Sequence, residues 1–350
     1  MNVFVPHKKD FNTYFDEIIS YASINYIFSS LENYSTTYEI VNIQFPEAIF
    51  NWEQPTKEQL IDFENRIIYW KKKSKIVLTL NDVESHYDSE NKFKSLFILI
   101  RKYVDGVIHL GEYSLNNYAH LFSKNCKHKV IYHPLYIGLK NECVEKDFQK
   151  AFNVNFTNKL VVTVVGNVRS LEELKLIIKI FKKIKARNKI LVVPKMYNYF
   201  KIPKHFPYRY RNLYKTIKSL LLLYPLKRNQ YYFGYKFVET GLLVNLINKS
   251  SLIIIPRKRN LNSGILYLGF TFDKPMVIPR IGNLTETAAY FNFPLLDFEK
   301  NNYKNVLDKV TSTDFKKIFL TKDYLKKKNE FHPTKISKEY ELFFKSLIKL

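Results

Sequence analysis

The sequence predicts an α/β protein of two doubly wound domains facing a cleft. Two observations carry that expectation: short apolar runs alternate with helical periodicities along the whole chain, and the alternation restarts midway after a charged connection. In the first half Tyr38–Gln44, Lys75–Leu80, Gly106–Leu110 and Lys129–Tyr132 read as buried strands. Helical stretches such as Thr56–Lys72 and Lys92–Tyr103 separate them. In the second half the strands are Leu160–Val165, Lys189–Val193, Gln230–Phe233, Ser251–Ile255, Met276–Ile278 and Pro294–Leu296. A length of 350 residues with 46% hydrophobic content suits two cores of ordinary size. The expected division is 1–137 for a first domain, 138–320 for a second, and a Lys-rich helical segment at 321–350.

The stretch Ser251–Glu286 is the most informative. A buried strand leads into a polar loop, Ser263-Gly264 opens an apolar helix, and a further strand precedes Gly282-Asn283. Loops that follow parallel strands gather at the carboxyl edge of the sheet, where open α/β folds bind ligands. A helix beginning at small residues offers unpaired N–H groups and the positive end of its dipole, which suits a phosphate. Taken alone, Asn262-Ser263-Gly264 is an ordinary turn more often than a phosphate cradle. Arg169, after the strand Leu160–Val165, stands where a diphosphate needs a cation, and a guanidinium can make two parallel bonds to phosphate oxygens.

The same residues resemble the donor-binding half of the GT-B glycosyltransferases, closest to glycosyltransferase family 4. Gly166-Asn167-Val168-Arg169 stands for the family's Gly-x-x-Arg turn and Ser263-Gly264 for its small-residue phosphate loop. Asp273-Lys274-Pro275-Met276-Val277-Ile278 matches its Gly-x-Pro-Val-Ile-like strand, and Gly282-Asn283-Leu284-Thr285-Glu286 its Gly-Gly/Asn-x-x-Glu turn. The resemblance implies two Rossmann-like domains, a last helix that crosses back to the first, and transfer of a sugar from a nucleotide diphosphate donor with retention and without a metal. Gly166, Arg169, Asn262, Ser263, Gly264, Asn283 and Glu286 would then hold the donor, with Glu286 either accepting from a sugar or ribose hydroxyl or capping a helix.

Three departures accompany it. Glu172 stands where the family places a Lys after its Arg, and Leu268 where many members have a ribose-binding Glu. In the first domain the family's Thr-x-His-Asn/Asp loop appears as Thr79-Leu80-Asn81-Asp82, so Asn81 replaces the histidine and cannot act as a base. Asp82 or Glu47 is the candidate to take a proton from an acceptor hydroxyl. Asp82 is read equally well as a turn or capping residue. His86 follows shortly after this loop. His109 and His133 also end strands and read as structural.

Charge is the second clue. Fifty-six Lys and Arg against thirty-two Asp and Glu give a net +24, which attracts a polyanion. Met196–Gln230 has no acidic residue, and its basic residues alternate with six tyrosines. Tyr210, Tyr214, Ile217, Leu221 and Tyr224 recur at helical steps, leaving Arg211, Lys215 and Lys218 on other faces. Such a helix suits an anionic membrane surface, or simply a solvated flank. No nucleic-acid module is recognised. Cys126 and Cys143 cannot build a disulfide framework, no Asp-x-Asp or ligand-spaced cluster appears, and no apolar run reaches a bilayer span. The expectation is a cytoplasmic, metal-independent transferase, peripheral at most, acting on a glycan or lipid-linked saccharide. Its rival is a non-catalytic GT-B-like protein that binds a glycan, a membrane or a partner enzyme.

Overall fold

The computed structural model describes residues 1–9, 13–84, 92–142, 151–152, 154–196, 206–223, 226, 228–235 and 238–349. Its strands form two six-stranded sheets. The first contains β1 (Asn2–Val5), β2 (Asn25–Phe28), β3 (Ile40–Ile43), β4 (Lys75–Leu80), β5 (Gly106–His109) and β6 (Lys127–Val130). The second contains β7 (Leu160–Thr163), β8 (Lys189–Val193), β9 (Tyr231–Phe233), β10 (Leu252–Ile254), β11 (Met276–Pro279) and β12 (Leu295–Leu296). Every pairing between them is parallel. Helices cover both faces, which is why the central strands are buried along nearly their whole length and mostly apolar, not alternating.

The strand orders decide where ligands can bind. The first sheet runs β2-β1-β3-β4-β5-β6 and the second β12-β11-β10-β7-β8-β9. The chain therefore reverses direction across the first sheet between β1 and β3, and across the second between β7 and β10. At each reversal the two following loops splay apart and leave a crevice at the carboxyl edge.

β1 and β2 were not expected from the sequence, although β1 lies inside the sheet. Four residues followed directly by Pro6-His7-Lys8-Lys9 show too short an apolar run to read as a buried strand, and only pairing with β2 and β3 completes it. The helix after Thr56 runs Lys57–Trp70 and is started by a capping box, Thr56 with Gln59. Towards the end of the chain, helix Pro333–Ile348 packs on the first domain. Tyr340 shares a 2.7 Å hydrogen bond with Tyr14, and Lys127 donates to the Ser346 carbonyl at 3.2 Å. A Cβ on Gly106 would lie 2.9 Å from Leu347. Among the described residues no helix is long and apolar enough to cross a membrane.

Candidate functional site between the two sheets

A cleft of about 430 Å³ lies between the carboxyl edges of the two sheets. Its second-domain wall is the β7/β10 reversal. Gly166 adopts φ +86°, a conformation that a side chain would strain, and turns the chain after β7. Ser170 then caps helix Leu171–Lys183 by accepting from the Glu173 N–H.

Glu173 organises this wall. Its Oε2 accepts from the Arg169 backbone N–H at 2.6 Å, and both carboxylate oxygens lie 2.9 Å from Arg257 Nη1. Arg257 Nη1 also donates to the Asn167 carbonyl at 3.1 Å. Both partners are buried, at 3% and 6% exposure, so the pair ties the loop after β7 to the loop after β10 across the crevice. Arg169 and Arg257 both line the cleft. The Asn260 amide, oriented with its nitrogen towards the Arg259 carbonyl, accepts from Arg169 Nη1 at 2.9 Å. Sequence reading missed Arg257. The signal was a charged residue directly after a buried strand and Pro256, but its burial depends on Glu173, eighty-odd positions away.

Glu172, the first departure from the family pattern, points away. Its side chain is 68% exposed, pairs with Lys258 at 3.5 Å and lines a separate, adjoining groove, leaving the cleft to the two arginines. Leu268, the second, lines the cleft as an apolar patch. Ser263 and Gly264 open helix Gly264–Thr271, and the Ser263 side chain makes no cap, so it leaves the first N–H groups to another acceptor. A Cβ on Gly264 would lie 2.4 Å from Tyr136 Oη. Tyr136 Oη meets His133 Nε2 at 3.2 Å, while His133 Nδ1 donates to the Pro134 carbonyl, which fixes the tautomer. Burial pushes His133 down to about 3, so it is neutral at ordinary pH.

Asn81, Asn262 and Asn283 come together, but with each other. Asn81 donates to the Gln44 carbonyl and Asn262 to the Asn81 carbonyl, each at 2.7 Å. Asn283 donates to Asn262 Oδ1 at 2.7 Å and accepts from the Ser114 N–H at 2.9 Å. This chain of amides spans the two domains. Glu286 extends it: its carboxylate accepts from the Glu112 and Tyr113 N–H groups at 2.6 and 2.7 Å. Helix Glu112–Tyr118 has no side-chain cap of its own, so the second domain supplies acceptors for its first three N–H groups. Burial raises the Glu286 carboxyl and these two hydrogen bonds oppose the rise. Asn283 and Glu286 thus join the domains and do not line the cleft, where the sequence placed them as donor ligands. A Cβ on Gly111 would fall 2.2 Å from Glu286 Oε1, which is why a glycine stands there.

On the first-domain wall, Asp82 and Glu47 both line the cleft, Glu47 being 5% exposed. His109 is buried against Ser114 and His128, and burial with the neighbouring imidazole pushes it down to about 4. It is structural, as is Cys126, whose buried thiol is pushed up to about 12. His86 and Cys143 lie outside the described residues.

Solved structures with the same arrangement decide the architecture. The crystal structure of Anabaena HepE (Alr3699) in complex with UDP-glucose superposes with a TM-score of 0.66 over 99% of both chains, at 13% identity. This chain has the GT-B fold. Within that fold, a glycosyltransferase from Rickettsia africae matches over 99% of this chain and 98% of its own, with a TM-score of 0.61 and 14% identity. Sucrose-phosphate synthase from Thermosynechococcus elongatus matches over 89% of this chain and 74% of its own, with a TM-score of 0.61 and 12% identity. No protein-family model and no curated protein sequence matches. In GT-B terms the cleft is the interdomain groove, with the β7/β10 reversal on its second-domain side.

Proposed function

We propose that this GT-B protein is a glycosyltransferase. It moves a sugar from a nucleotide-diphosphate donor to a hydroxyl of a glycan or lipid-linked saccharide in polysaccharide assembly. The observation that carries the reading is Arg169 in the cleft beside the uncapped start of helix Gly264–Thr271, at the β7/β10 reversal. Arg169 and the helix N-terminus present fixed positive charge to a departing diphosphate, which stabilises the charge that develops there, while Arg257, paired with Glu173, holds the loop that carries Arg169. Asn262, Ser263 and Gly264 lie at the same edge. In this reading Arg169 supplies the cation, and no metal is needed. Asp82 and Glu47, on the opposite wall, are the candidates to receive the acceptor proton. Retention follows from the resemblance to family 4. UDP is the nucleotide to try first, since crystal structures of Anabaena HepE contain UDP and UDP-glucose.

The protein would work in the cytoplasm, at an anionic membrane face. Helix Arg211–Leu223 supports this: Leu213, Ile217 and Leu221 are 55%, 47% and 69% exposed, and no acidic residue occurs between Met196 and Gln230.

A second reading, a non-catalytic GT-B-like glycan-binding protein, is favoured by Leu268 in the donor wall and by Asn81, whose amide is committed to Gln44. Calorimetric titration with UDP, GDP, ADP, CMP and TDP, with and without magnesium, separates the two. Metal-independent binding of one diphosphate, weakened in Arg169→Ala, upholds the transferase; no binding by any of them sinks it.

A further inference from the structure

The first-domain wall holds a residue in a backbone conformation unusual for its type. After the turn Pro46–Phe50, Asn51 and Trp52 are both left-handed, with φ +53° and +64°. Asparagine tolerates this region, but a tryptophan Cβ crowds the following carbonyl there. Hydrogen bonds from Asn51 N–H to the Ala48 carbonyl (3.1 Å) and from Trp52 N–H to the Glu47 carbonyl (2.9 Å) hold the turn. Strain of this kind gathers at binding sites, where the surroundings over-determine it.

The strained placement does not bury the ring. Trp52 is 48% exposed, whereas the chain's other tryptophan, Trp70, is 1% exposed in the core. The Trp52 ring lies 6.1 Å from that of Phe45, and both line the cleft beside Gln44 and Glu47. Gln44 is 1% exposed. Its Nε2 donates to Thr79 Oγ1 at 3.0 Å and to Asn42 Oδ1, but its Oε1 has no hydrogen-bond partner among the described residues. A buried acceptor of this sort calls for an O–H or N–H donor.

An exposed flat ring beside a buried acceptor oxygen matches a sugar, which has an apolar C–H face and hydroxyl donors at its edge. We propose that Phe45–Trp52 is a saccharide platform: a neutral pyranose stacks on Trp52 and donates a hydroxyl hydrogen bond to Gln44 Oε1. The segment belongs to the wall opposite Arg169 and Arg257, so the ring it holds is the acceptor's and not the donor's. Only the word acceptor rests on the transferase reading.

Because Trp52 is the exposed tryptophan, intrinsic emission reports on the cleft directly. The full chain is titrated, with and without UDP, with the methyl glycosides of glucose, galactose, mannose and N-acetylglucosamine, and separately with UDP-glucose. Saturation-transfer NMR follows the same sugars on Trp52→Ala and Trp52→Phe. The expected result is quenching or a blue shift with at least one glycoside. Affinity falls about tenfold or more in Trp52→Ala and is partly kept in Trp52→Phe, with UDP affinity unchanged in both. No response to any glycoside, or equal binding by Trp52→Ala, overturns the proposal. A response to UDP-glucose but to no glycoside places the ring on the donor and overturns the acceptor assignment. A Trp52-dependent sugar response in protein that binds no nucleotide keeps the platform and removes the transferase.

Discussion

Glu173 and Glu286 sit in the same domain and each engages both carboxylate oxygens, yet they do different work. Glu173 acts within the domain, pinning Arg257 and the Arg169 backbone so that the β7 and β10 loops share one geometry. Glu286 acts between domains, reaching helix Glu112–Tyr118 at its N-terminus. One is a buried ion pair and the other a half-buried carboxylate on neutral N–H groups. The second-domain wall is thus joined to the first domain by these polar contacts as well as by apolar packing, Leu261 among them.

The contrast is broken most severely at Glu173. Glu173→Ala leaves Arg257 buried without its carboxylate and is expected to cost about 3–5 kcal/mol, read as a lowered midpoint in chemical denaturation, together with weakened nucleotide binding. An unchanged midpoint would show that the pair does not organise the wall.

The next effect is a loss of stability in acid. His109 and His133 are held down to about 4 and about 3 by burial, below the ordinary value of an unfolded histidine. The unfolded chain therefore binds their protons first. Their contribution is fully present above about pH 6.5 and falls as the pH drops towards 4, by up to about 3 kcal/mol for His109 alone. Denaturation midpoints at pH 7.5, 6 and 5 measure the slope, and His109→Gln should flatten it.

Glu286→Ala sharpens the comparison. It removes an acceptor from two helix N–H groups, for about 1–2 kcal/mol. Solution scattering should show a more open pair of domains, while UDP affinity stays near that of the parent; a fall as large as that from Glu173→Ala would erase the distinction. The smallest effect on stability belongs to the exposed helix. Leu213→Ser, Ile217→Ser and Leu221→Ser together should move the midpoint by no more than about 1.5 kcal/mol while abolishing binding to anionic vesicles. Retained vesicle binding would remove this face from the membrane reading.

Much of the architecture was legible because parallel strands buried on both faces write themselves as apolar runs, as in Lys75–Leu80 and Met276–Pro279. β1 escaped because four residues make too short a run, and the edge strand β2 because its half-exposed pattern carries little signal. In the site, Gly166 and Arg169 were legible from the turn they share, and Ser263-Gly264 from the helix they start. Arg257 was not, since a lone Arg in a basic loop looks like solvated charge until Glu173 is placed against it. Asn283 and Glu286 were found as a motif and read as donor ligands, but their contacts to N–H groups some 170 positions earlier in the chain were not legible.

The sequence by itself determined that the chain alternates strand and helix twice over, and that polar, phosphate-suited loops close the second repeat. Those are consequences of local periodicity and turn chemistry, which act over a few residues. Only the tertiary structure decided that Arg257 lines the cleft in a buried pair with Glu173, that Glu286 and the asparagines join the domains, and that Trp52 stands exposed in the cleft. Burial, ion pairing and close approach are set by residues distant in sequence, and the folded chain alone brings them within hydrogen-bond range.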